Sequence, residues 1–141
     1  MVWTTRWMND QEAPSLQYYA LGAKNELMPT GQAIRAWGQI VQPVLVSTEG
    51  SDVATEVFAS RSENGKEMTV WLLNRGSTNR EIQLRVDGPL YTIARRCRFS
   101  GASDMERSPK WEALPDGHLD RNVYSDPALP PLSLTILSLH R

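Results

Sequence analysis

The stretch "FASRSENGKEMTVWLLN", residues 58–74, predicts a β-hairpin. Asn64-Gly65 is the strongest short-range turn signal in the chain, because both residues tolerate a positive φ. The run that follows, residues 68–74, is almost continuously apolar, as in a strand that is covered on both faces. We therefore expect an antiparallel pair whose second strand lies at the centre of a sheet.

Short runs of β character, separated by turn signals, continue on both sides of this hairpin. They cover residues 53–60, 81–86, 91–99, 110–114 and 129–139. Ile82, Leu84 and Val86 alternate with charged and polar residues, which predicts a strand with one buried face. A series of short strands at this spacing is typical of an antiparallel β-sandwich.

Two of these runs depart from simple alternation. In residues 91–99, the apolar set of Tyr91, Ile93, Cys97 and Phe99 shares one parity, and Arg95 interrupts it. In residues 132–139 the apolar positions change parity midway, which indicates either a β-bulge or burial on both faces.

One amphipathic helix precedes the strands, in "PTGQAIRAWGQI", residues 29–40. Thr30 is the expected N-cap, and Pro43 ends the run. Apolar residues recur at helical spacing and predict a large packing partner, with Trp37 buried. Residues 2–8 form a further predicted strand. The predicted fold class is mainly β: an antiparallel β-sandwich with one N-terminal α-helix.

Composition limits the classes of function. The 141 residues carry 15 Lys and Arg against 16 Asp and Glu, which argues against a general nucleic-acid binder. No run of about 18 apolar residues is present, so no membrane span is expected. The first ten residues lack a basic segment and an apolar segment, so no secretory signal is expected within this chain.

Four stretches carry a resemblance to a known family. They are "VWTTRWMND" (2–10), "PTGQAIRAWGQIVQP" (29–43), the hairpin region (57–86) and "LPPLSLTILSL" (129–139). In this order they resemble the C-terminal end of retaining glycoside hydrolases with a (β/α)8 barrel, of the β-xylosidase, α-L-arabinofuranosidase and glucuronidase-like type. The first two resemble the eighth barrel strand and the last barrel helix, and the others resemble an appended β-sandwich.

The resemblance implies a domain division and a missing active site. Residues 1–43 would be a barrel remnant of strand, loop and helix, and residues 44–141 the β-sandwich domain. Retaining glycosidases need two carboxylates about 5–5.5 Å apart. In the resembled families these are glutamates after the fourth and seventh barrel strands, which precede the part that this chain resembles. No catalytic residue is therefore carried over, and we expect a fragment without enzyme activity.

Candidate ligand contacts are few. Trp3, Arg6 and Trp7 fall where an eighth barrel strand would face a sugar, although both tryptophans could instead pack in a core. Trp111 lies in a polar stretch and is the expected exposed aromatic of the sandwich. The chain's two histidines show no metal-ligand spacing, so neither a metal nor a cofactor is expected.

The leading interpretation is a non-catalytic accessory β-sandwich domain that supports a catalytic barrel. The alternatives are a carbohydrate-binding module and a protein-interaction domain that uses the exposed barrel remnant. The expected partners are a polysaccharide, a catalytic barrel domain or a second copy of the chain, with no nucleic acid and no membrane. The resemblance implies a secreted or periplasmic parent enzyme.

Overall fold

The computed structural model describes five stretches of the chain, which are residues 20–22, 24–103, 106, 108–115 and 117–141. Two units are formed: Met1–Ile40 with Ala102–Pro109, and Val41–Gly101 with Lys110–Arg141. The predicted division at residues 43 and 44 stays a prediction, because a division into compact units does not show which residues derive from a barrel. The predicted strand at residues 2–8 lies outside the described residues.

The second unit is an antiparallel β-sandwich. Its strands are β1 (Val44–Val46), β2 (Thr55–Arg61), β3 (Glu67–Asn74), β4 (Arg80–Arg85), β5 (Thr92–Ser100), β6 (Lys110–Ala113), β7 (Val123–Leu129) and β8 (Ser133–His140). Six of them form one sheet in the order β1-β2-β3-β8-β5-β6, and β4 pairs with β7 in a second sheet. Every pairing is antiparallel. The predicted mainly β fold class is confirmed.

The β2–β3 hairpin forms as predicted. Gly65 adopts a φ of 65°, which a glycine accepts without steric cost. The Asn64 carboxamide oxygen accepts hydrogen bonds from the Ser62 hydroxyl and from the Lys66 amide. β3 then lies between β2 and β8, with buried residues on both of its faces, including Trp71 and Leu72.

The core lies between the two sheets. The face of the six-stranded sheet that contacts β4 and β7 is called the inner face, and the opposite face the outer face. The buried core residues are Ala59, Met68, Val70, Leu72, Val86, Tyr91, Tyr124, Leu129, Leu137 and Leu139. Ile82 and Leu84 pack against them, so the predicted inward face of residues 81–86 is confirmed.

A register shift in β5 corrects the predicted face of residues 91–99. Its pairing with β8 is interrupted between Ile93 and Arg95, as at a β-bulge. Beyond the shift, Arg96 and Arg98 pair with Leu137 and Thr135 of the inner face. Tyr91 and Ile93 therefore share a face with the two arginines, and the predicted grouping of Tyr91 and Ile93 with Cys97 and Phe99 was wrong.

β8 has no such shift in its pairing with β3. Ile136 on the outer face and Leu137 on the inner face are both buried. Burial on both faces thus explains the change of parity in residues 132–139.

Two buried asparagines fasten the loops. The Asn74 carboxamide nitrogen donates to the carbonyls of Thr78, Leu129 and Pro130, which ties the end of β3 to the turn between β7 and β8. The Asn122 carboxamide oxygen accepts the Tyr91 amide, and Asn122 itself adopts a φ of 66°. These side chains supply hydrogen-bond partners for backbone groups that have none within the turns.

The described part of the first unit contains the helix α1 (Pro29–Ile40). The helix begins at Pro29, whose missing amide suits the first helical position, so Thr30 is inside the helix and the predicted N-cap was wrong. A tight loop precedes it, in which the Met28 amide donates to the Ala20 carbonyl. A Cβ on Gly31 would lie 2.0 Å from the oxygen of that carbonyl, so this contact requires glycine.

The apolar stripe of α1 is only partly buried. Ile34 is 42% exposed and Trp37 is 39% exposed, so the predicted burial of Trp37 was wrong. Gly31 is the one buried residue of the helix. Across the described residues, no helix is both long enough and apolar enough to span a bilayer.

Candidate functional site

An aromatic pair lies on the outer face at one end of the six-stranded sheet. Phe99 of β5 is the direct partner of Trp111 of β6, and their ring centroids are 4.6 Å apart at 28°. Such an offset stack is a favoured aromatic geometry and holds the indole ring in place. Trp111 is 38% exposed, which confirms its predicted exposure.

A second exposed aromatic of the sandwich was not singled out by sequence reasoning. Phe58 on β2 is 46% exposed. The alternation of residues 53–60 contained the signal, because it places Phe58 opposite the inward residues Val57 and Ala59. Trp3, Arg6 and Trp7 lie outside the described residues, so Trp111 is the one predicted sugar contact that the structure describes.

Cys97 lies beside the aromatic pair on the outer face, opposite Ala113 of β6. Burial raises the pKa of its thiol, and the charge of Arg95 opposes that effect. A thiol with a raised pKa is a poor nucleophile at neutral pH. Cys97 therefore behaves as a small apolar side chain, as its position in the sequence indicated.

A groove opens between the two sheets beside β4. Its volume is about 690 Å³, within the usual size range of ligand sites. Apolar side chains from β1, β2 and β3 line it; they are Val46, Val57, Ala59, Met68 and Val70. We call this set the floor of the groove. Ile82, Leu84 and Val86 complete its apolar lining from the side of β4.

The rim of the groove is polar and carries an excess of negative charge. Its ionisable residues are Glu49, Asp52, Arg80, Glu81, Arg85 and Asp87. The Asp52 carboxylate accepts hydrogen bonds from the backbone amides of Ala54 and Thr55, and it forms an ion pair with Arg80. These interactions lower the pKa of Asp52, the two amide bonds contributing most. Asp52 is thus ionised, and it stabilises the turn before β2 rather than acting as a proton donor.

A cluster of polar side chains lies inside the sandwich between β5, β7 and β8. The Arg98 guanidinium donates to the Asp126 carboxylate through Nη2 and to the Thr135 hydroxyl through Nε. The Tyr124 hydroxyl donates to the same carboxylate oxygen at 3.2 Å. Burial raises the pKa of Tyr124, which keeps this hydroxyl protonated at neutral pH. The cluster joins the two sheets, and sequence reasoning missed it.

The described residues contain no group of three or more His, Cys, Asp or Glu side chains arranged to hold a metal ion. His140 lies at the end of β8, with its ring nitrogens 3.3 and 3.4 Å from the Thr92 hydroxyl. His118 is exposed in the segment between β6 and β7.

Comparison with known proteins shows that this chain is similar to solved structures but not, by sequence, to a known family. No family model matches the chain, and no curated protein does. A glycoside hydrolase family 30 subfamily 8 xylanase from Clostridium acetobutylicum is similar, with a TM-score of 0.68 and 14% identity over 89% of this chain and 31% of the xylanase. An arabinofuranosidase gives a TM-score of 0.65 and 15% identity over 87% of this chain and 32% of its own.

A third similar structure is a glycoside hydrolase family 44 xyloglucanase from Paenibacillus polymyxa. Its TM-score is 0.59 and its identity 17%, over 96% of this chain and 24% of the xyloglucanase. The chain therefore spans about a third or less of the solved structures that it matches. Its fold is similar to that of one part of these glycoside hydrolases.

Proposed function

We propose that this chain is a non-catalytic accessory domain of a glycoside hydrolase, with the β-sandwich at the C-terminal end of a catalytic (β/α)8 barrel that it supports. The observation that carries the proposal is the partial coverage of its neighbours. A xylanase shares the fold of 89% of this chain, but the shared region is only 31% of the xylanase. The match is thus to one portion of a larger hydrolase, as the resemblance in sequence implies.

Internal contacts of the sandwich support the proposed role. The sandwich has a hydrophobic core formed by its own strands. Asn74 holds a loop in place, and the Arg98–Asp126 ion pair joins the two sheets. The partly exposed Ile34 and Trp37 of α1 are suited to packing against further structure, because large apolar groups at helical spacing rarely remain in water without a role. A barrel domain is the partner that we favour for this face, and a second copy in a two-fold dimer is the alternative.

The catalytic carboxylates belong, in this proposal, to the part of the barrel that precedes the region this chain resembles. The chain would then contribute stability rather than an acid, a base or a nucleophile. Hydrolysis would require the remainder of the barrel.

Carbohydrate binding is the second candidate function, and Trp111 favours it. The stack with Phe99 fixes the indole ring while leaving it partly exposed, which is the arrangement that a sugar ring needs for stacking. One aromatic of this kind gives a weak platform, because affinity rises with the number of aligned rings.

Affinity electrophoresis in gels that contain xylan, arabinan or cellulose tests the two functions against each other. For an accessory support domain we expect the chain to migrate as in a gel without polysaccharide. Retardation by one polysaccharide that is lost in Trp111→Ala and kept in Phe58→Ala would instead establish the carbohydrate-binding function. Phe58→Ala is the matched control because Phe58 is an exposed aromatic on a different strand of the sheet.

A further inference from the structure

The groove beside β4 has hydrogen-bonding groups along one wall. The Val86 amide donates to the Asn122 carbonyl on the side of β7, at 2.9 Å. Backbone groups of successive residues in an antiparallel strand point to alternate sides. The regular pairing with β7 covers residues 82 to 85, so the amides and carbonyls of Gln83 and Arg85 point away from β7, towards the groove. Both residues line it, as does Glu81, which lies at a register shift between Arg80 and Ile82.

The two edges of the small sheet differ. β7 contains Pro127, which has no amide to donate and is a common device for blocking strand addition. β4 contains no proline, and in the part of the chain that the structure describes its one partner strand is β7. The edge along the groove is thus open to pairing while the other edge is protected.

We propose that this groove binds an extended polypeptide strand, which pairs antiparallel with β4. Alternate apolar side chains of the strand would lie on the floor, against Val46 and Val57, the two floor residues that are only partly buried. Its intervening residues would face solvent beside Gln83 and Arg85 and make the main-chain hydrogen bonds. This is strand addition to an open sheet edge, in which the main chain gives affinity and the alternating pockets give specificity.

Charge complementarity defines the chemistry of the partner strand. The rim holds four carboxylates, of Glu49, Asp52, Glu81 and Asp87, against the guanidinium groups of Arg80 and Arg85. This is an excess of two negative charges beside an apolar floor. A strand with apolar residues at alternate positions and lysine or arginine between them fits both features, because the carboxylates of Glu49, Asp52 and Asp87 border the groove outside β4.

The composition of the groove favours a polypeptide over a sugar. None of the described residues that line it is aromatic, so it offers no ring for stacking. Its periodic features are the backbone groups of β4 and the apolar side chains of the floor, which match the two-residue repeat of a strand.

The test uses a fluorescein-labelled peptide, Lys-Val-Thr-Val-Lys-Val-Thr-Val-Lys, and fluorescence anisotropy with the full chain. We expect saturable binding that Gln83→Pro weakens about tenfold or more, because proline removes an edge amide and its ring obstructs the edge. Ser125→Pro is the matched control. Ser125 lies directly opposite Gln83, and its amide points away from β4. This variant should bind within about twofold of the parent chain.

A modified peptide tests the same proposal without changing the protein. N-methylation of both threonine amides should abolish binding, because those amides would donate to β4. N-methylation of two valine amides should be tolerated, since they point away from β4. The proposal is wrong if the unmodified peptide does not bind, if Gln83→Pro and Ser125→Pro weaken binding equally, or if the threonine-methylated peptide binds as well as the parent.

Discussion

Replacing Asp126 by alanine is expected to lower the free energy of unfolding by about 3–5 kcal/mol. The Arg98 and Asp126 side chains are only 13% and 8% exposed, so the pair is largely withdrawn from water. Removal of the carboxylate leaves the positively charged Arg98 guanidinium group in a poorly solvated site without its counter-charge. It also removes the acceptor of the Tyr124 hydroxyl. Urea denaturation followed by circular dichroism measures the loss.

The control for this prediction is an ion pair of the same type at the surface. Glu56 and Arg75 are 33% and 53% exposed, and Glu56→Ala should cost less than about 1 kcal/mol. The double variant Arg98→Met with Asp126→Leu should recover much of the loss, because apolar residues of similar size often replace a buried ion pair without penalty. Equal losses in Asp126→Ala and Glu56→Ala would show that the cluster does not join the sheets.

Replacing Trp71 by alanine is expected to destabilise the protein by about 3–5 kcal/mol, as for other large buried aromatic residues. Trp71 is 2% exposed and lies on β3, between β2 and β8. Truncation there removes a large apolar contact and leaves a cavity that a central strand cannot close by moving. The urea midpoint should fall while the slope of the transition stays the same.

Trp111→Ala is the matched control, because it makes the same chemical change at a site that is 38% exposed. Its loss should be near 1 kcal/mol, about the value of one aromatic stack. Losses of similar size in Trp71→Ala and Trp111→Ala would contradict the assignment of β3 to the centre of the sheet.

Local signals in the sequence were enough to predict much of the sandwich. The Asn64-Gly65 turn, the apolar run of β3 and the alternation of Ile82 and Leu84 each have a local cause, so one short window contains the whole signal. The short strand β6 was predicted for the same reason, because Lys110–Ala113 interrupts a stretch rich in turn residues.

The features that sequence reasoning missed depend on contacts between distant residues. The β5 bulge moves Arg96 and Arg98 to the inner face, and no local pattern fixes the residue at which a register shift occurs. The Arg98–Asp126 pair follows from that shift, since its members are 28 residues apart. The start of α1 at Pro29 is an exception, because proline at the first helical position is a local signal that was overlooked.

The candidate sites divide in the same way. Exposure of Trp111 could be predicted from its polar neighbours in the sequence. The groove could not, because residues of β1, β2, β3 and β4 line it together, and only the packing of the two sheets brings them to one place. The alternation in β4 identifies its buried face, but it does not tell which edge of the strand stays open.

The most direct test of the proposed accessory role is the hydrolysis of aryl β-xylosides and aryl α-L-arabinofuranosides by the purified chain. A xylanase and an arabinofuranosidase that each contain a region similar to this chain serve as positive controls. We expect no turnover above the rate without protein, because the proposal assigns both catalytic carboxylates to a part of the barrel that precedes the region this chain resembles. Turnover that is lost when a glutamate of this chain, such as Glu49, is replaced by glutamine would contradict the accessory role.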